Sequence, residues 1–190
     1  MNNAVILHGK PPRERYDNPN EPKPHEANWF PWLGQQLIER GVEVSIPPLP
    51  KPYYPVYKDW KGVFDSNKVD QETALIGHSA GAEFILRWLS ENQIAEVEQV
   101  VIIAPYRDYE NKYGDFSQYK LDKDIVKRTD RLTIMYSLDD DEPILRRTRE
   151  LITAFPSAEH IELNGFGHFR IGHNMQTDEF PELLNILKNA

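Results

Sequence analysis

The chain has 190 residues, with 22 Lys and Arg against 30 Asp and Glu, a formal charge of −8 and no cysteine. That length is close to the roughly 150 residues of one domain, so a single domain with one sizeable core is expected over residues 1–190. The acidic balance argues against nucleic acid or an anionic membrane as partner, and the missing cysteine removes disulfide scaffolds, thiolate zinc sites and cysteine nucleophiles. The N-terminal apolar run is cut short by His8 and Gly9 and lacks the basic start and long apolar stretch of a signal peptide. With no run of about 18 apolar residues either, a cytoplasmic protein is expected.

In chain order, short β-branched runs alternate with helix-period segments. A strand is predicted at 4–7, then a Pro- and Asn-rich surface loop at 10–28. A helix follows at 29–40, closed by Gly41, and a strand at 42–46. Residues 47–56 read as a rigid proline-rich loop, a reading preferred over a polyproline ligand for an SH3-type domain. Strands are predicted at 73–76, 100–104, 132–136 and 160–163, and helices at 80–91, 144–155 and 180–187. Most strands lack polar alternation, as expected of a parallel sheet covered on both faces. The pattern predicts an α/β doubly wound, mostly parallel sheet of about six strands flanked by helices. These elements consume nearly the whole chain, so no large cap domain fits. Only 106–131, with a short helix near 121–127, is long enough to act as a small lid, and a shallow pocket follows from that.

The strongest local signal is Gly77-His78-Ser79-Ala80-Gly81, placed where a strand ends and a helix begins. A serine on such a turn is held in a strained conformation, glycines two residues away on each side prevent collisions, and the helix N-terminus faces any developing negative charge. Serine needs a general base, and the base needs an orienting carboxylate. In this architecture they follow in the order Ser, acid, His, each after a later strand. The run Asp139-Asp140-Asp141 follows the 132–136 strand, and Gly167-His168 follows the 160–163 strand. Any of the three aspartates can be the acid, and Asp139 or Asp141 can instead cap the helix that starts near Pro143. Their spacing is not that of a calcium loop. His168 and His173 lie five apart on a loop, unlike the i, i+4 pair of a zinc protease, so no metal is expected. Local packing suffices to explain His8 and His78. Trp29, Trp32, Tyr53, Tyr54, Tyr57 and Trp60 could line a pocket, but core packing is the preferred reading.

Nearly the whole chain resembles a small α/β-hydrolase of the YdeN-type serine hydrolases and their retinoblastoma-binding relatives. The residues that carry the likeness are Val5-Ile6-Leu7-His8-Gly9, Asn28-Trp29-Phe30-Pro31-Trp32-Leu33, the turn at 77–81, Ile103-Ala104-Pro105, the acid turn at 137–140 and Gly167-His168-Phe169. The resemblance implies Ser79 as nucleophile, Asp140 as acid and His168 as base. Asp141 and Glu142 separate Asp140 from Pro143, one residue more than the family pattern, which keeps Asp139 and Asp141 open.

One oxyanion donor is expected from the Ala80 amide and the other from the 8–12 loop, where Pro11 and Pro12 have no N–H. By analogy with the His-Gly-x loop of related hydrolases the second is Lys10, with Gly9 as the alternative. The Lys10 side chain is read as solvated in preference to selecting acidic substrates. The function expected is hydrolysis of a small-molecule ester, thioester or activated amide without a cofactor. The alternative is a non-catalytic protein-binding module on the same scaffold. The retinoblastoma-binding motif L-x-C-x-E needs a cysteine that this chain lacks.

Overall fold

The apolar runs of the sequence assemble into one six-stranded sheet in a computed structural model that describes residues 1–172 and 174–187. The strands are β1 (Asn3–Leu7), β2 (Glu43–Ser45), β3 (Thr73–His78), β4 (Val97–Ile103), β5 (Thr129–Ser137) and β6 (Glu159–Leu163). Their spatial order is β2-β1-β3-β4-β5-β6, with every pairing parallel. The central strands β1 and β3 are buried along their full length, whereas the edge strand β6 alternates half-buried and exposed residues. Both patterns follow from position, since a central strand has both faces covered and an edge strand does not.

Side chains on successive strand residues point to opposite faces, and the core divides accordingly. Val5, Leu7, Leu75, Val100, Ile102 and Ile134 pack with α3 (Tyr57–Phe64), α4 (Ala80–Glu91) and α5 (Glu142–Ala154). Ala4, Ile6, Ala74, Ile76, Val101 and Met135 pack with α2 (Phe30–Ile38) and α6 (Pro181–Ile186). The result is a single α/β domain with helices on both faces of a parallel sheet. No helix among the described residues is long and apolar enough to cross a membrane.

Two segments hold more regular structure than their composition predicts. The 10–28 loop contains a short helix, α1 (Arg13–Asp17), and a 3-10 turn at Pro24–Glu26. Helix α3 follows the proline-rich loop and buries Tyr57, Trp60 and Phe64, which recur at helical spacing. The proline-rich loop itself is packed down: Leu49 is buried and the Trp60 indole N–H donates to the Pro50 carbonyl at 3.0 Å. The short helix near 121–127 is a 3-10 turn at Lys123–Lys127, with the Asp122 side chain accepting from the Asp124 amide at its start.

Chain order places the site. From β1 the chain runs outward to the edge at β2, then returns past β1 to form β3 on its other side. The crevice where neighbouring connections part lies at the C-terminal ends of β1 and β3, which is where open α/β sheets bind ligands. Those two ends are the His8-Gly9-Lys10 loop and Ser79.

Candidate active site

Ser79 sits between β3 and α4 with φ 56° and ψ −118°, a strained combination for a residue with a Cβ. The surrounding structure over-determines it. Its amide donates to the Ile103 carbonyl at 2.9 Å, and its carbonyl accepts from the amides of Ala82, Glu83 and Tyr106 at 3.1–3.2 Å. The flanking glycines are required by close approach: a Cβ on Gly77 would lie 2.6 Å from the Ala82 Cα, and one on Gly81 would overlap the Leu7 carbonyl oxygen. Ala80 is the first residue of α4, so helix geometry provides no intrahelical acceptor for its amide.

His168 meets the serine from a loop 89 residues later, its Nε2 lying 3.0 Å from Ser79 Oγ. Its Nδ1 lies 2.9 Å from one Asp140 oxygen and 3.1 Å from the other. A carboxylate oxygen accepts, so Nδ1 carries the proton and Nε2 turns a lone pair toward the serine hydroxyl. The Asp140 side chain is almost fully buried, whereas His168 is partly open to solvent.

The two other aspartates do different work. Asp141 occupies the N-cap position of α5 without a side-chain cap bond, and its amide donates to Asp140 Oδ1 at 2.7 Å. Asp139 accepts from the Gly165 and Gly167 amides at 3.0 and 3.2 Å, and from the Ser137 hydroxyl and Asn174 side-chain amide. These bonds, the Ser137 hydroxyl first among them, hold the Asp139 carboxyl down at about 2. Asp139 thus ties down the loop that presents His168.

Two further residues hold that loop, and sequence reading assigned neither to it. The Trp29 indole N–H donates to the Phe169 carbonyl at 3.1 Å. His78 Nε2–H donates to the His168 carbonyl at 2.9 Å, and burial pushes the His78 ring well below its ordinary value. The only available signal for His78 was its place in the turn, because its partner lies 90 residues away. His8 is also buried, and burial pulls its ring down to about 4. Its Nδ1–H donates to the Gly9 carbonyl at 2.8 Å, which leaves Nε2 buried without a partner among the described residues.

Ser79 and His168 open onto a cavity of about 50 Å3. Its walls come from the 8–30 segment and from His78, Ser79, His168 and Arg170, and no residue of 106–131 lines it. Much of that segment packs against α4 and α5, with Phe116 buried and the Arg147 guanidinium donating to the Tyr119 hydroxyl at 3.0 Å. Lys10 lines the cavity, with its ammonium 5.1 Å from the centre of the Tyr113 ring. Gly9 lies against Ser79, since a Cβ there would come within 2.7 Å of the Ser79 Cβ. Of the aromatic residues singled out, Trp29, Tyr57 and Trp60 are buried in the core and none lines this cavity. His173 lies outside the described residues. Among those described, no group of three or more His, Asp or Glu side chains is arranged to hold a metal ion.

Known proteins resemble this chain in both sequence and fold. The profile of the family described as "Serine hydrolase" matches residues 21–189. The chain is 25% identical over 149 residues to YdeN of Bacillus subtilis (strain 168), named as a hydrolase, covering 75% of this chain and 78% of that protein. The crystal structure of the B. subtilis ydeN product superposes with a TM-score of 0.80 at 23% identity, covering 98% and 97% of the two chains. The meta-cleavage product hydrolase of Pseudomonas fluorescens shares the fold at a TM-score of 0.61 and 14% identity, covering 97% and 89%.

Proposed function

Because the chain belongs to the serine hydrolase family, we propose that it cleaves a carboxylic ester, thioester or activated amide through an acyl-enzyme on Ser79. The observation that carries this reading is the continuous hydrogen-bonded chain from Ser79 Oγ to His168 and on to buried Asp140. Ser79 Oγ attacks the carbonyl carbon as its proton passes to His168 Nε2. Asp140 holds the imidazole in the tautomer that can accept that proton and offsets the charge that forms. The tetrahedral intermediate then collapses, and the leaving group departs with the proton from His168. Water, deprotonated by His168, attacks the acyl-serine in the second half of the reaction. The product acid leaves, and the serine recovers its proton.

The oxyanion is assigned to the Ala80 amide together with that of Lys10, or of Gly9 in its place. Each such donor is worth about 3 kcal/mol in the transition state. The cavity beside Ser79, about 50 Å3, suits a short acyl chain.

The test is labelling by a fluorophosphonate probe and hydrolysis of 4-nitrophenyl acetate, each with wild type and Ser79→Ala. The expected result is labelling that disappears in Ser79→Ala and a fall in kcat of at least about 10³. Wild-type protein that neither labels nor turns over any ester would point instead to a non-catalytic binding scaffold.

A further inference from the structure

The walls of the cavity carry a charge that opposes the rest of the molecule. Lys10, Arg15 and Arg170 all line it, and no aspartate or glutamate among the described residues does, in a chain whose formal charge is −8. Arg15 has a carboxylate of its own, its Nε donating to Glu21 at 3.1 Å. Arg170 has none within ion-pair distance among the described residues, and its Nε–H is buried without a hydrogen-bond partner. The carboxylate of Asp140 is already engaged by His168. Burial, and then the like charge of Arg15, hold the Arg170 guanidinium below its ordinary value against the opposing pull of the Asp140 and Asp141 carboxylates. An arginine nonetheless stays protonated, so it cannot relieve the strain by losing its proton. Two cations held together, one of them with an unsatisfied buried N–H, form a site that an anion would complete.

We propose that this cavity binds a carboxylate carried by the substrate's acyl group, with Arg170 as its main partner and Arg15 and Lys10 supplying further positive charge. The inference rests on the hydrolase reading and adds a substrate class to it, namely esters or thioesters of small dicarboxylic acids. Arg170 lies two residues beyond His168 and shares the cavity with Ser79. An anion seated on it would therefore fix a short acyl chain beside the nucleophile. Guanidinium suits this task because its planar N–H groups match the two oxygens of a carboxylate.

Two measurements separate this inference from the reading beneath it. The first is binding of monomethyl adipate and of neutral methyl hexanoate to the full-length Ser79→Ala protein, followed by calorimetry. The expected result is tighter binding of the anion, weakened at least tenfold by Arg170→Gln, partly kept by Arg170→Lys and reduced by added salt. The second is turnover by proteins with Ser79 intact, comparing the 4-nitrophenyl monoester of adipic acid with 4-nitrophenyl hexanoate. Here the anionic-to-neutral ratio of kcat/KM is expected to exceed one in wild type and to fall at least tenfold in Arg170→Gln. If Arg170→Gln fails to fold, Arg15→Gln and Lys10→Gln take its place, each with a smaller expected fall. Equal binding of the two esters, or a preference that ignores Arg170 and salt, would overturn the proposal. Absence of any Ser79-dependent turnover would overturn the hydrolase reading alone, because the binding measurement stands without it.

Discussion

His78 donates its Nε2–H to the backbone carbonyl of His168, so the residue before Ser79 carries the residue that faces it. A carbonyl only accepts, and His78 is held neutral by burial, so its proton is fixed on Nε2. Replacing it with Phe keeps a ring in the core and removes the donor. His78→Phe is expected to lower kcat by about ten- to a hundredfold, as His168 shifts relative to Ser79. It should also cost about 1–3 kcal/mol of stability, because the His168 carbonyl loses its partner. Steady-state kinetics and urea denaturation measure the two effects separately.

The neighbouring aspartates are expected to separate in their phenotypes. Asp140→Asn leaves a side chain that cannot fix the same His168 tautomer, and kcat is expected to fall by as much as about 10⁴ with the fold intact. Asp139→Ala releases the amides of Gly165 and Gly167, so it should lower both stability and kcat, the latter less steeply. Because the folded Asp139 value is depressed to about 2, its contribution to stability is present above the ordinary value of 3.8 and is lost as pH falls toward 2. Denaturation midpoints between pH 4 and 2 should therefore fall less in Asp139→Asn than in wild type. Equal acid slopes would count against this role.

Buried histidines act in a higher window. His8 is pulled down to about 4 from 6.5, so the unfolded chain binds its proton first and stability rises with pH between those values. The His8 contribution is on the order of 3 kcal/mol across the window. His78 acts in the same direction. His8→Gln is expected to flatten the slope of unfolding free energy between pH 6.5 and 4, as read by urea titration.

Glu83 and Arg147 form a fully buried ion pair at 2.9 Å that joins α4 to α5 one turn beyond Ser79. Burial raises the Glu83 carboxyl despite the neighbouring guanidinium. Removing one partner strands the other, so Glu83→Leu and Arg147→Met should each cost about 3–5 kcal/mol. The double variant should cost much less than their sum. A double-mutant cycle on thermal unfolding provides the check.

Much of this protein was legible in one dimension. Strand and helix order followed from local periodicity, because a strand buried on both faces needs an unbroken apolar run whatever its neighbours are. The Gly77-His78-Ser79-Ala80-Gly81 turn was legible for the same reason, since only glycine tolerates the close approaches of Ala82 and Leu7 at its flanks. Helix α3 was missed because its apolar face is only three residues on a polar segment, and its helical state is secured by packing against α4. Among three consecutive aspartates, composition offers no reason to prefer one. The direction in which each side chain leaves the turn after β5 brings Asp140 to His168 and sends Asp139 to the glycine amides. The cavity wall was likewise a matter of tertiary structure. Arg15 and Arg170 are 155 positions apart, and only the meeting of the first and last loops at the switch point places them side by side. Sequence determines what is local, such as burial period, turn strain and the order of reactive groups. Which of those groups meet is decided by packing across the sheet, because contacts between distant loops leave no periodic trace in the chain.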